Sequence, residues 1–242
     1  MKVLYAGDSP PGGSADYLLG ILYRLRASVR HVLPQQPLSL RLARECYDAI
    51  ILSDYPRRAL PAAADRILVQ QVDRGAGLLM VGGWASFAAG GWQHSLLATR
   101  LPVVCRTADD RVHLPGGAAV CASNRHPMFR GFSFRDAPVI CGLNTVRPRR
   151  ASRVVLTARK IIRTGRTMRL DDDAYPLFVI GTDSSRRVAA LTTDLAPHWC
   201  GGLVDWGSRR VRLAVTPRIR IEVGDRYVRF VSSLLRWLVD GV

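Results

Sequence analysis

Lysine is nearly absent from this 242-residue chain: Lys2 and Lys160 are the two lysines, and the other 33 of the 35 basic residues are arginines. A bias of that kind, spread over a whole sequence, reads as a coding preference for arginine. It weakens the case for the net charge of +16 as a nucleic-acid signature. Aromatics are scarce too, at 7%, so basic stretches lack the interleaved rings on which bases stack. The five cysteines (Cys46, Cys105, Cys121, Cys141, Cys200) are odd in number, scattered and never spaced C-x-x-C, which excludes a disulfide framework and a zinc ribbon. No run approaches the roughly 18 apolar residues a membrane helix needs. The opening residues lead straight into Gly7-Asp8 and read as a buried strand, not a signal peptide. A reducing cytoplasm, with no membrane, is the expected setting.

What the chain does have is 48% hydrophobic composition, enough to bury one sizeable core, and a single domain over 1–242 is expected. Its positive charge is uneven. Residues 1–121 carry 13 basic and 9 acidic groups, and 122–242 carry 22 and 10. The stretch 147–169 holds nine cations and no acid, a place for phosphate or an acidic partner, but it matches no nucleic-acid-binding motif.

The first 85 residues alternate strand and helix signals, the pattern of a parallel sheet with helices on both faces. Strands are expected at 3–6, 29–33, 49–52 and 78–81. Ser14 is placed to cap a first helix, with Leu18, Ile21, Leu22 and Leu25 on one apolar face. Ser39 is placed to cap a second helix running through Tyr47, and Pro61 suits the first turn of a third that ends near Gly75. Beyond Gly82-Gly83 the pattern becomes irregular and strand-rich, with a strand at 154–157 and a hairpin of 177–182 with 187–193 about Asp183-Ser184-Ser185. Asp225 then caps an amphipathic closing helix.

In open parallel sheets, ligands bind outside the carboxyl ends of the strands. Asp8 and Ser9, Asp54 and Tyr55, Trp84 and Ser86, and Asp194 through His198 hold those positions. With Gly7-Asp8-Ser9, Ser53-Asp54-Tyr55-Pro56, the segment 77–87 around Gly82-Gly83-Trp84, His126-Pro127, 138–144, 187–199 and 234–238, the chain resembles the class I glutamine amidotransferase-like family, related to ThuA-like trehalose-utilisation proteins. The resemblance runs in order along nearly the whole chain. It implies a flavodoxin-like three-layer α/β/α fold with a mostly parallel central sheet, and no proven reaction.

Class I amidotransferases carry their nucleophilic cysteine in a G-x-C-x-G strand-to-helix elbow. The equivalent turn here, Val81-Gly82-Gly83-Trp84-Ala85-Ser86, has none, and no cysteine lies between Cys46 and Cys105. Cys46, Cys105 and Cys141 read as core residues. Cys200 lies beside a polar cluster and, with His198 and Asp194, is a weak catalytic candidate. The ligand-binding candidates are Asp8, Ser9, Asp54, Gly82, Gly83, Trp84, Ser86 and His126. Gly82 and Gly83 either cradle an anion with their N–H groups or simply turn the chain. Ser86 reads as a helix cap, Trp92 as core, and His31 and His113 as structural. The spacing of Asp194, His198, Cys200 and Asp205 matches no metal signature, and no metal or cofactor is expected.

Three function classes follow. The first is a non-glutaminase protein that binds or processes a small polar metabolite at the strand ends. The second is a non-catalytic interaction or assembly module. The third is a polyanion or nucleic-acid binder, whose contacts would be weak and without base specificity. Self-association is compatible with all three.

Overall fold

The computed structural model describes residues 1–105, 109–183 and 185–241. Its strands are β1 (Lys2–Gly7), β2 (Ser28–Val32), β3 (Ala49–Ser53), β4 (Gly77–Val81), β5 (Val103–Val104), β6 (Arg111–Ala122), β7 (Val139–Asn144), β8 (Arg147–Pro148), β9 (Ser152–Thr164), β10 (Thr167–Gly181), β11 (Val188–Leu191), β12 (Arg210–Ala214) and β13 (Arg220–Gly224). Its helices are α1 (Ala15–Arg24), α2 (Leu40–Ala43), α3 (Ala62–Asp73), α4 (Pro197–Val204) and α5 (Asp225–Asp240).

Nine strands form one sheet in the order β2-β1-β3-β4-β11-β10-β9-β6-β7. The first five pair in parallel and the rest continue antiparallel. The inner parallel strands β1, β3, β4 and β11 are apolar along nearly their whole length because both faces are covered, whereas the edge strand β2 carries Arg30 and His31. Side chains alternate across a strand, so Val3, Tyr5, Ile51, Leu79 and Val81 join α1, α4 and α5 in one core, while Leu4, Ala6, Ile50, Leu52 and Met80 join α3 in the other. The result is the three-layer α/β/α arrangement.

Local chemistry departs from the expected caps in several places. Ser14 precedes α1 but makes no cap bond; its Oγ accepts the N–H of Ser9. Ser39 does cap α2, accepting from Leu42 N–H at 3.3 Å, but that helix stops at Ala43 and does not reach Tyr47. Asp225 opens α5 as its first residue, with Gly224 at the cap position. The hairpin of β10 and β11 pairs Phe178 with Leu191 as expected, and Ser184 of its turn lies outside the described residues.

The antiparallel half curls back on the parallel one. Although β7 is the far edge of the sheet, Asn144 N–H donates to the Thr192 carbonyl at 2.8 Å and the Thr193 hydroxyl donates to the Gly142 carbonyl at 2.9 Å. This seam brings the start of β6 and the end of β7 to the carboxyl ends of β1, β3, β4 and β11.

Candidate functional site

Both β1 and β3 are followed by an aspartate in the left-handed backbone region, Asp8 at φ 55° and Asp54 at φ 51°. Non-glycine residues are uncommon there and are tolerated best when they are Asn or Asp. Asp8 is buried and accepts the Tyr5 hydroxyl proton. Burial raises its pKa, against hydrogen bonds from Tyr5, Ser53 and Ser14 that favour the anion. Asp194 follows β11, is equally buried, and accepts from Leu195 and Ala196 N–H at 2.6 and 3.0 Å. Burial and then the charge of Asp8 drive its pKa well above the carboxylate range. Asp54 is pushed up to about 6, chiefly by burial; Ala85 N–H opposes the rise, Asp8 adds to it and His198 opposes it.

The turn after β4 explains where the expected anion cradle went. Gly82 N–H donates to the Leu191 and Thr193 carbonyls, and Gly83 N–H to Asn144 Oδ1 at 2.9 Å. Ala85 N–H donates to Asp54 Oδ1 at 2.8 Å. A Cβ on Gly83 would lie 2.2 Å from that same oxygen, so the missing side chain makes room for the Asp54 carboxylate. The cradle reading is therefore corrected: the donors of Gly82 and Gly83 are consumed within the protein, and its own carboxylate occupies the turn. No helix follows, either. The chain continues through turns, and Ser86, expected as a helix cap, accepts Asp54 N–H at 3.1 Å instead.

Trp84 leaves this turn 45% exposed. Around its ring stand the Arg111 guanidinium at 5.0 Å, His113 at 5.4 Å, and His198 and Trp199 each at 6.2 Å. His198 is exposed in the first turn of α4. Trp199 is buried against Gly142, where a Cβ would lie 2.5 Å from its ring, and its Nε1 has no hydrogen-bond partner among the described residues. Asp8, Asp54, Trp84, Asp194 and His198 thus meet at one end of the sheet, with Ser9 at its margin, hydroxyl to hydroxyl with Ser14 at 3.1 Å.

Two candidates stand apart. Cys200 is fully buried, its thiol donates to the Ala196 carbonyl at 3.1 Å, and burial raises its pKa well above the thiol range, so it is a core group with no thiolate to offer. His126 is at the opposite end: β6 runs away from the cluster, and His126 follows it to pack edge-on against Trp237 at 5.9 Å. Trp92 is core, as expected, its Nε1 donating to the Tyr55 carbonyl at 2.9 Å. Among the described residues no group of three or more His, Cys, Asp and Glu side chains is placed to hold a metal ion.

Sequence reasoning missed the residues supplied by the antiparallel strands. Asp110 accepts Ala88 and Ala89 N–H and the Asn144 side-chain amide, and Asn144 in turn holds Gly83. Arg111 and His113, the latter read as structural, belong to the ring around Trp84. The alternation Arg111-Val112-His113-Leu114 after the acid pair Asp109-Asp110 was the one local signal available.

The family whose model matches the chain, over residues 15–215, is described as "Putative glutamine amidotransferase". No curated protein matches the sequence. Among solved structures the chain is similar to a cytoplasmic protein of Salmonella typhimurium, 27% identical over 82% of this chain and 90% of that one, with a TM-score of 0.65. A second cytoplasmic protein, of Salmonella typhimurium LT2, is 24% identical over 99% and 100%, at 0.73. A ThuA-like protein of Parabacteroides merdae is 13% identical over 100% and 90%, at 0.64. The last two likenesses show the fold alone. No helix among the described residues is long and apolar enough to cross a membrane.

Proposed function

The chain belongs to the family of glutamine amidotransferase-like proteins matched over residues 15–215, and from that premise we propose that it binds and processes a small polar metabolite over the Trp84 face, without glutaminase chemistry. The observation that carries this reading is Asp54. Its carboxyl is pushed up to about 6, within reach of the His198 charge and against the turn that carries the exposed Trp84, so near neutrality it can both give and take a proton. A ring of His113, His198, Arg111 and Trp84 supplies donors and a flat apolar surface, the combination that holds a hydroxyl-rich or heterocyclic ligand.

Amide hydrolysis by the superfamily route needs a thiolate, a base and free oxyanion donors. Here the Cys200 thiol is buried and neutral, and the turn's donors are taken. The designation of both Salmonella proteins as cytoplasmic supports a cytoplasmic setting.

Binding of a panel of monosaccharides and small hydroxy acids, followed by tryptophan fluorescence, tests the reading together with ammonia release from glutamine. One panel member is expected to bind, and Trp84→Ala or Asp54→Asn to weaken it about tenfold or more. Binding untouched by both substitutions, or robust glutaminase activity abolished by Cys200→Ala, would overturn it.

A further inference from the structure

A cavity of about 550 Å³ lies at the end of the sheet opposite the Asp54 cluster. That volume is within the range of small-molecule sites. Its apolar wall is built by Phe129, Phe132 and Phe134. Phe129 packs edge-on to both of the others at 5.6 and 6.0 Å, and stacks on Phe230 of α5 at 5.3 Å. The Arg229 guanidinium lies 4.5 Å over the Phe132 ring and donates to the Arg130 and Gly131 carbonyls, which ties the loop carrying these phenylalanines to α5.

The polar lining has one sign. Arg125 and Arg130 are exposed on the rim, neither has an ion-pair partner among the described residues, and no acidic side chain lines the cavity. The nearest contrast is Arg226, which does find an acid, Asp136, at 3.7 Å. His126 adds a directed donor. Met128 N–H donates to its Nδ1 at 3.3 Å, which leaves the ring proton of the neutral tautomer on Nε2. Burial and then the charge of Arg153 lower the pKa of that ring.

We propose that this cavity is a binding site for an amphipathic carboxylate, its acyl or aryl body among Phe129, Phe132 and Phe134 and its anionic head met by Arg125 and Arg130. An apolar wall alone would accept any hydrophobic molecule; two unpaired arginines select the anion and disfavour a cation of the same shape. The site is independent of the reading of Asp54 and Trp84.

Calorimetric titration of the full chain with octanoate, 1-octanol and octylamine at physiological ionic strength tests it. Octanoate is expected to bind at one site, octanol about tenfold more weakly, and octylamine without measurable heat. Arg125→Gln and Arg130→Gln, both at exposed positions that leave folding intact, are each expected to weaken octanoate about fivefold or more while leaving octanol unchanged. No octanoate binding, octylamine binding as tight as octanoate, or octanoate binding indifferent to both substitutions would overturn the proposal.

Discussion

The two halves of the central sheet solve different problems. The parallel strands β1, β3, β4 and β11 are short, apolar but for Lys2 and Ser53 at their ends, and covered on both faces. The antiparallel β9 and β10 are 13 and 15 residues long and run out beyond the core to an exposed tip, β9 carrying Arg153, Arg159, Lys160 and Arg163 and β10 carrying Arg169 beside Asp171, Asp172 and Asp173. Rigidity lies in the first half and solvated charge in the second. The candidate site uses both. The parallel strands lead into the buried carboxyls of Asp8 and Asp194 and the half-buried carboxyl of Asp54, and the start of the antiparallel half supplies Arg111, His113 and the Asp110–Asn144 link that holds the Gly83 turn. A fold of this kind places acid groups where water is excluded, then decorates the opening with side chains from strands that can change without unseating the core.

Paired truncations give the sharpest way to break that contrast. Leu79 is fully buried in β4, so Leu79→Ala is expected to cost about 3 kcal/mol and lower the melting midpoint by roughly 6–12 °C. Met168, near the hairpin tip, is 74% exposed, and Met168→Ala should stay within about 0.5 kcal/mol. Thermal melts of the two variants check this. Equal losses would mean that the hairpin is as much a part of the core as β4.

The same division decides what could be read from the residues. Apolar runs such as 49–52 and 78–81, cut off by Ser53-Asp54 and Gly82-Gly83, announce buried parallel strands and place the polar residues after them at one edge. Asp8, Asp54, Trp84, Asp194 and His198 were legible for that reason. The antiparallel strands hide their period. Pro115-Gly116-Gly117 interrupts β6 where its pairing with β7 shifts register, and β10 shifts against β9 after Leu170 and again at Pro176. Asp110, His113 and Asn144 reach the site only because the sheet curls. Curvature is a property of many pairings together and leaves no mark on three separate residues. Cys200 went astray by the opposite error, since proximity in sequence to a polar cluster says nothing about which way a helix turns its side chain, and His126-Pro127, singled out as a motif, lies at the other end of the sheet because β6 carries it there.

A smaller effect tests the buried acids directly. Asp54 binds its proton more tightly in the folded protein, at about 6, than at its ordinary value of 3.8. Its contribution to stability is therefore whole below about 4 and is lost as pH rises through 6. Asn cannot ionise and keeps an oxygen for Ala85 N–H. Asp54→Asn should thus gain on wild type by about 1–2 kcal/mol between pH 4 and pH 8, allowing for partial solvent screening. Melts of both proteins across that range measure the gap, and a gap that does not widen with pH would show that Asp54 is not held near 6.

The smallest effect is expected at Asp172, and it bears on the charge of the antiparallel half. The nine cations of 147–169 invite a polyanion reading, yet the acids that follow them fold back across the hairpin. Asp172 lies 3.6 Å from Arg159 and 3.9 Å from Arg169, with its side chain 95% exposed. Exposed pairs at such distances gain little, because water screens the attraction and two long side chains must be ordered to make it. Asp172→Asn should therefore move the melting midpoint by less than about 2 °C at physiological salt. The change also adds one net positive charge beside the arginines. If the hairpin were built to hold a polyanion, removing its internal competitor would strengthen binding to duplex DNA selectively over other anions. If the arginines are a solvated face, binding to DNA and to heparin should stay weak and fall together as salt rises, with a slope that the substitution shifts by no more than about one phosphate contact. Filter binding at several salt concentrations decides between them: tight, salt-resistant DNA binding by Asp172→Asn would make the antiparallel half a recognition surface and not merely the outer, charged side of the fold.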